Sequence, residues 1–229
     1  MTKHPQTRRD EILGVSQRLF LQYGYDKVSV NEIISAVGIA KGTFYHHFPS
    51  KDALLEELIE HRTQEIFEVI EAIASDTTQS ALERLTRYFR TSVFLKAQDP
   101  GLLVAALHTF YRPENTLLRV RMIEANNARI APVLGRLVQE GVESGEFQVP
   151  DPQLCGQFLI RGFATLSDGI SRKILADPQS TTLNQELHRV FDFMEWTTAS
   201  LLGVPRDAVS LADRAAVDRL FSNEEKEHV

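Results

Sequence analysis

A single cysteine, Cys155, stands in 229 residues. No disulfide can close within the chain, which excludes a small secreted scaffold stapled by bridges. A lone thiol of this kind is expected to pack as a small hydrophobe. No uninterrupted apolar stretch approaches the ~20 residues needed to span a bilayer. The opening MTKHPQTRRDEIL holds no apolar segment of signal-peptide length. No membrane partner is expected, and the expected compartment is the cytoplasm. Strand-like alternation is scarce. The stretch from Gly38 to Thr43 lacks the G-x-x-x-x-G-K-[ST] order of a phosphate loop. Gly135, Gly141 and Gly145 have neither the spacing nor the preceding strand of a dinucleotide site. Nucleophile-elbow and H-E-x-x-H signatures are missing, and adjacent His46 and His47 point ~100° apart on a helix, a poor metal pair. No catalytic residue, metal or cofactor is therefore expected.

What is present is ordinary globular material: 43% hydrophobic and 24% charged residues, enough for a real core. The length admits one long domain or two modest ones. Net charge is −6, yet it is unevenly spread. Residues 1–51 carry seven Lys or Arg against four Asp or Glu, a balance of +3, while the remainder holds 18 basic and 27 acidic residues, −9. An acidic body with a small basic head points to a nucleic-acid partner for the head.

Apolar residues recur at helical spacing nearly everywhere, with Gly and Pro between the runs. An all-α fold follows. A first helix is expected over 7–23, with Ile12, Val15, Leu19 and Tyr23 on its inner side and Gly24 as its stop. Ser29-x-x-Glu32 reads as a capping box opening a second helix, which Gly38 ends. A short third helix is expected over 40–48, broken by Pro49. A long fourth helix, capped by Ser50, is expected over 51–74, with an inner stripe of Leu55, Leu58, Arg62, Ile66, Val69 and Ile73. Further helices are expected over 80–97, 101–111, 114–144 (kinked or split at Pro132), 152–176, 182–202 and 208–221. The fourth helix hands over without a tether, so the division is a small three-helix head over 1–50 and a helical body over 51–229.

Wrapped at 100° per residue, the third helix gathers Ala40, Phe44 and Phe48 on one side. Lys41 and Tyr45 share a flank, Gly42 and His46 point away from the core, and Thr43 and His47 occupy the other flank. An apolar back and a small, polar, singly cationic front, following a capped helix across a tight Gly38-Ile39 turn, is the pattern of a helix-turn-helix. Gly42 lets the helix approach DNA closely. The alternative, a helical hairpin that only packs, has no use for the local basic excess.

The run from Ser29 through Ala36-Val37-Gly38-Ile39-Ala40-Lys41-Gly42-Thr43-Phe44-Tyr45-His46-His47-Phe48 to Lys51-Asp52-Ala53-Leu54-Leu55 resembles the DNA-binding domain of TetR-family transcriptional regulators. Phe20-Leu21-Gln22-Tyr23-Gly24-Tyr25 resembles the end of that family's first helix. The resemblance covers about residues 8–58. It implies a homodimeric all-α regulator, usually a repressor, that binds double-stranded operator DNA and lets go when a small molecule occupies the body. It assigns base-edge approach to Lys41, Gly42 and Thr43, and phosphate contacts to Ser29, Tyr45, His47 and Lys51, and leaves His46 open.

In the body, Phe94, His108, Tyr111, Arg112 and Phe163 are the candidate contacts for a hydrophobic or aromatic effector, since a pocket needs a few polar groups within apolar walls. Arg112, before Pro113, reads equally as a solvated helix end. The helices of 152–202 are expected to form the dimer surface through Leu154, Phe158 and Gly162 with Leu166 or Ile170 on one and Leu187, Phe191, Met194 and Leu201 on the other. Gly156, Gly162 and Gly169 would permit close helix approach. The fourth helix is expected to carry the effector's influence to the head. Two rivals remain: an effector-independent DNA-binding or division factor of the same fold, and a helical enzyme or carrier.

Overall fold

The computed structural model describes residues 5–97, 100–178 and 180–220. Among the described residues there are ten α-helices and no strand: α1 Pro5–Tyr23, α2 Val30–Val37, α3 Lys41–His47, α4 Lys51–Ala74, α5 Ala81–Ala97, α6 Pro100–Phe110, α7 Thr116–Glu143, α8 Pro152–Ala176, α9 Leu183–Leu202 and α10 Arg214–Leu220. Short 3₁₀ turns occupy Pro113–Asn115 and Arg206–Ala208. No helix among the described residues is long and apolar enough to cross a membrane.

Local chemistry sets most of the boundaries. Ser29 and Glu32 close a reciprocal capping box at the start of α2, and Gly38 ends that helix in the left-handed region at φ 74°, its N–H donating to the Ile34 carbonyl. Ser50 Oγ accepts from the Ala53 amide and caps α4. Asp151 caps α8 through the Leu154 amide, with Pro152 at the first helical position. Of the kink or split expected at Pro132, the split does not occur: α7 runs through it without a break. The buried Ile130, Ala131, Val133 and Leu134 around it hold the helix together against the cost of about 3 kcal/mol that an interior proline carries. The last helix starts later than expected, because the 3₁₀ turn and an irregular stretch occupy 206–213; its expected end at Phe221 lies outside the described residues.

The chain packs as two compact units. The first joins the residues up to Ile66 with His108–Asn126. Its core is Ile12, Phe20, Ile33, Phe44, Phe48, Leu54 and Leu55 with Leu118 of α7. On α1 the buried stripe is Ile12, Ser16 and Phe20, at i, i+4 and i+8, while Tyr23 stands 52% exposed. Val15 and Leu19 are only half-buried. Of the expected stripe, Ile12 is buried, Leu19 packs against the core from its edge and Tyr23 faces out. Ser16 fits an apolar face because its hydroxyl donates to the Ile12 carbonyl at 2.7 Å.

The second unit joins Phe67–Leu107 with the described residues from Asn127 onward. Leu85 of α5, Leu134 and Leu137 of α7, Leu159 of α8 and Leu202 of α9 lie at its centre. On α4 the inward residues are Ile70, Ile73 and Ala74; Val69 is half exposed, and the side chains of Arg62 and Ile66 lie outside the described residues. Arg84 is buried and ties the unit together. Its Nη1 donates to the Ala74 carbonyl at the end of α4, and its Nη2 pairs with Glu140 of α7 at 2.7 Å. A cation at a helix C-terminus complements the dipole there. Cys155 is buried, and burial pushes its thiol up to about 11, so it packs as the hydrophobe expected.

Candidate nucleic-acid interface

Helix α3 is held from behind. Phe44 and Phe48 are buried at 0% and 1% exposure, each worth about 1.5–3 kcal/mol relative to an exposed ring. Ala40, assigned to the same inner side, is exposed; it serves as the extended N-cap residue at φ −73°, ψ 150°, so it precedes the helical wheel on which it had been placed. Arg9 of α1 adds an anchor that sequence reasoning missed. Its Nε donates to Glu57 Oε1 at 2.5 Å, its second guanidinium nitrogen pairs with the other carboxylate oxygen, and its plane lies 4.9 Å from the Phe48 ring centroid. Its Nη1 reaches the His47 carbonyl at 3.4 Å. The i, i+48 separation leaves no local signal for this pairing.

The front of α3 is open. Lys41, Gly42, Tyr45 and His46 are exposed, and Thr43 and His47 half-buried. A Cβ added to Gly42 would meet nothing within 4 Å, so the fold itself does not require glycine there. The Lys41 ammonium lies 6.0 Å from the Tyr45 ring centroid and has no carboxylate partner among the described residues. Burial, then the neighbouring His46, Arg9 and Arg8, holds the His47 imidazole below its ordinary value. His47 therefore presents a neutral N–H at pH 7.

Two of the residues assigned to phosphate are engaged within the protein. Ser29 donates both its backbone N–H and its hydroxyl to Glu32 Oε2, each at 2.7 Å, which also holds the Glu32 carboxyl below its usual range. Lys51 donates from Nζ to the carbonyls of Tyr25 at 2.7 Å and Val28 at 3.0 Å, leaving one N–H for another acceptor. The sequence pattern could not separate these capping roles from phosphate contact, since hydroxyls and ammonium groups serve both.

The effector candidates are spread along the chain. His108, Tyr111 and Arg112 belong to the first unit and Phe163 to the second, while the Phe94 side chain lies outside the described residues. Phe163 stacks on Phe89 with centroids 3.9 Å apart. Tyr111 lies under the Arg119 guanidinium at 4.5 Å, and Arg112 donates to the Gln22 carbonyl at 2.5 Å. Among the described residues no group of three His, Cys, Asp or Glu is placed to hold a metal.

A capped helix, a left-handed glycine turn and a second helix with a buried apolar back and an open polar front define a helix-turn-helix protein that binds DNA. Residues 12–58 match the model of bacterial regulatory proteins of the tetR family. The HTH-type transcriptional repressor KstR2 of Mycolicibacterium smegmatis is 31% identical over 147 residues, covering 64% of this chain and 70% of that protein. In fold, the chain is similar to a TetR-family transcriptional regulator of Pectobacterium atrosepticum, with TM-score 0.60 and 20% identity over 88% of this chain and 97% of that one. It is also similar to the SmeT–triclosan complex, with TM-score 0.60 and 17% identity over 83% and 91%. This chain belongs to the TetR family of bacterial transcriptional regulators.

Proposed function

We propose that the protein represses transcription as a homodimer, docking its two α3 helices in successive major grooves of double-stranded operator DNA about 34–36 Å apart. The observation that carries this reading is the open face of α3, where exposed Lys41, Gly42 and Tyr45 stand over the buried Phe44 and Phe48. Lys41, Gly42 and Thr43 approach base edges; Tyr45 and His47 donate to phosphates, joined by the remaining N–H of Lys51. Ser29 acts chiefly as the cap that holds α2 in register. The division of labour is recognition in residues 1–50 and effector binding and dimerisation in 51–229. The reading needs no cofactor and no catalytic group, and it puts the protein where the DNA is, in the cytoplasm.

The dimer surface lies within residues 152–202. Leu154 and Phe158 of α8 are 61% and 55% exposed, and Phe193 and Trp196 of α9 are 53% and 51% exposed, an apolar area of the kind that marks protein interfaces. Leu187, Phe191 and Met194, named from periodicity as the α9 seam, are buried in this chain's own core, as is Ile170. The seam on α9 accordingly shifts to Phe193 and Trp196. Gly156 is likewise needed inside the chain, whereas a Cβ on Gly162 or Gly169 would meet nothing within 4 Å.

A small hydrophobic or aromatic molecule bound in the body releases the operator. The stacked Phe89 and Phe163 support an apolar site, and SmeT, of the same fold, is seen with triclosan. The decisive experiment is selection of duplexes from a random pool by the purified full chain, followed by titration at several salt concentrations. A defined inverted-repeat site and an affinity falling steeply with salt are expected, since each neutralised phosphate adds about −0.9 to the log–log slope. Recovery of random sequence only, or binding indifferent to salt, overturns the reading.

A further inference from the structure

The 3₁₀ turn between α6 and α7 grips the connection between α1 and α2. Arg112 donates to the Gln22 carbonyl at 2.5 Å. The Glu114 carboxylate pairs with Lys27, and its carbonyl accepts from the Asp26 amide at 3.3 Å. Gly24 lies against it so closely that an added Cβ would stand 2.5 Å from Glu114 Cβ, at a φ of 97° that already favours glycine. Asn115 is only 1% exposed and uses both ends of its amide: Oδ1 accepts from the Tyr25 N–H at 2.9 Å, and Nδ2 donates to the Thr109 carbonyl in the last turn of α6 at 2.9 Å.

The chain of contacts continues to the recognition elements. The Tyr25 carbonyl receives Lys51 Nζ, which also bonds the Val28 carbonyl, one residue before the Ser29 cap of α2. Tyr25 Oη donates to Asp52 at 2.5 Å in the first turn of α4. One backbone residue, Tyr25, thus receives the turn on its N–H side and the start of α4 on its carbonyl side. A buried amide cannot lose one of two partners cheaply, so the position of Thr109 and that of Tyr25 are tied.

From this we infer that the 112–115 turn is a positioning device for the helix-turn-helix, coupling the last turn of α6 through Asn115, Tyr25 and Lys51 to the N-cap of α2. The inference rests on the reading above that α3 docks on operator DNA. It adds to α4 a second route by which a change in the body reaches the head, and Asn115 is its central residue. Coupling is reciprocal, so DNA held by α3 alters the stability of the turn.

The test uses the full chain and a duplex selected by it from a random pool. Amide hydrogen exchange is followed at residues 22–28 and 109–115 with and without the duplex. Slower exchange at 109–115 on DNA binding is expected. Asn115→Asp keeps the acceptor for Tyr25 but turns a carboxylate toward the Thr109 carbonyl, and Arg112→Ala removes an exposed contact without touching the core. Each is expected to lower affinity for the duplex at least about 5-fold, the lower end of ordinary coupling, and to weaken the exchange response at 109–115. Should Asn115→Asp fail to fold, Arg112→Ala and the wild-type exchange data decide alone. Unchanged exchange at 109–115 in a wild-type chain that binds its duplex, or wild-type affinity in the folded variants, overturns the coupling while leaving DNA binding intact. A chain that selects no duplex overturns both.

Discussion

Gly156 of α8 crosses Gly135 of α7 so closely that a Cβ on the former would lie 2.8 Å from the Cα of the latter. Backbone cannot yield there as a flexible side chain would. Gly156→Ala is therefore expected to destabilise the fold by about 1–3 kcal/mol, the usual cost of overpacking, lowering the melting temperature by several degrees. Gly162→Ala, on the same helix with open space around it, is expected to leave the protomer as stable or slightly more so, since glycine costs a helix about 0.5–1 kcal/mol, while weakening dimerisation. Thermal melts and sedimentation velocity of the two variants separate the roles. A dimer constant unmoved by Gly162→Ala would shift the interface away from that stretch of α8.

The succession of helices was legible because its punctuation is local: a capping box at Ser29 and Glu32, a glycine at 38, a proline at 49, a serine cap at 50. The core of the head followed from Phe44 and Phe48 at i, i+4. What periodicity could not decide was ownership of a face. Helix α9 is apolar on more than one side, with Leu187, Phe191 and Met194 inward and Phe193 and Trp196 outward, and nothing in their spacing says which side is the chain's own core. Asn115, Arg9 and Arg84 left no signal at all, since each acts on partners fixed only by the tertiary fold.

Lys51 illustrates a residue with two duties. Its ammonium holds two carbonyls and sits 4.1 Å from the Tyr25 ring centroid. Lys51→Met keeps the apolar stem but removes the charge-assisted bonds, each of the type worth about 1.5–3 kcal/mol; partial exposure brings the expected loss toward the lower figure. The variant is expected to melt earlier and also to reduce the salt slope of DNA binding by about 1, the mark of one lost phosphate contact. A lower melting temperature with an unchanged slope would leave Lys51 a purely structural residue.

His47 sets a pH dependence with opposite signs for folding and for binding. Its imidazole is held below the ordinary value in the free protein by burial and by neighbouring positive charge. Below pH 6.5 the unfolded state therefore binds the proton more readily, so this residue's contribution to stability is present above that pH and is lost as pH falls. A phosphate beside the ring favours the charged form. Binding DNA then takes up a proton, and affinity for a selected duplex is expected to rise as pH falls from 7.5 toward 6, roughly, while the melting temperature falls. Calorimetry in two buffers of different ionisation enthalpy measures the uptake. His47→Gln is expected to abolish it while retaining an N–H donor. Equal proton uptake by the wild-type and variant proteins would assign it to another group, His46 being the neighbour to examine next.

Gly42 gives the cleanest separation of folding from recognition. Among the described residues nothing outside the local α3 backbone lies within 4 Å of where its Cβ would be, and its backbone is helical, so Gly42→Ala removes conformational freedom from the unfolded chain at no steric cost. The free protein is expected to gain roughly 0.5–1 kcal/mol. On the operator the same methyl group would stand between α3 and the base edges. Holding the helix back weakens the contacts of Lys41 and Thr43, at about 1–3 kcal/mol for a good base contact, so affinity for the selected duplex is expected to fall roughly 5- to 150-fold. Affinity for random duplex, which depends on phosphates, is expected to change much less. Differential scanning calorimetry on the free variant and fluorescence anisotropy on both duplexes give the three numbers. A variant that is stabilised yet binds the selected duplex as the wild type does would place the closest approach to DNA elsewhere on α3, toward Tyr45 and His46.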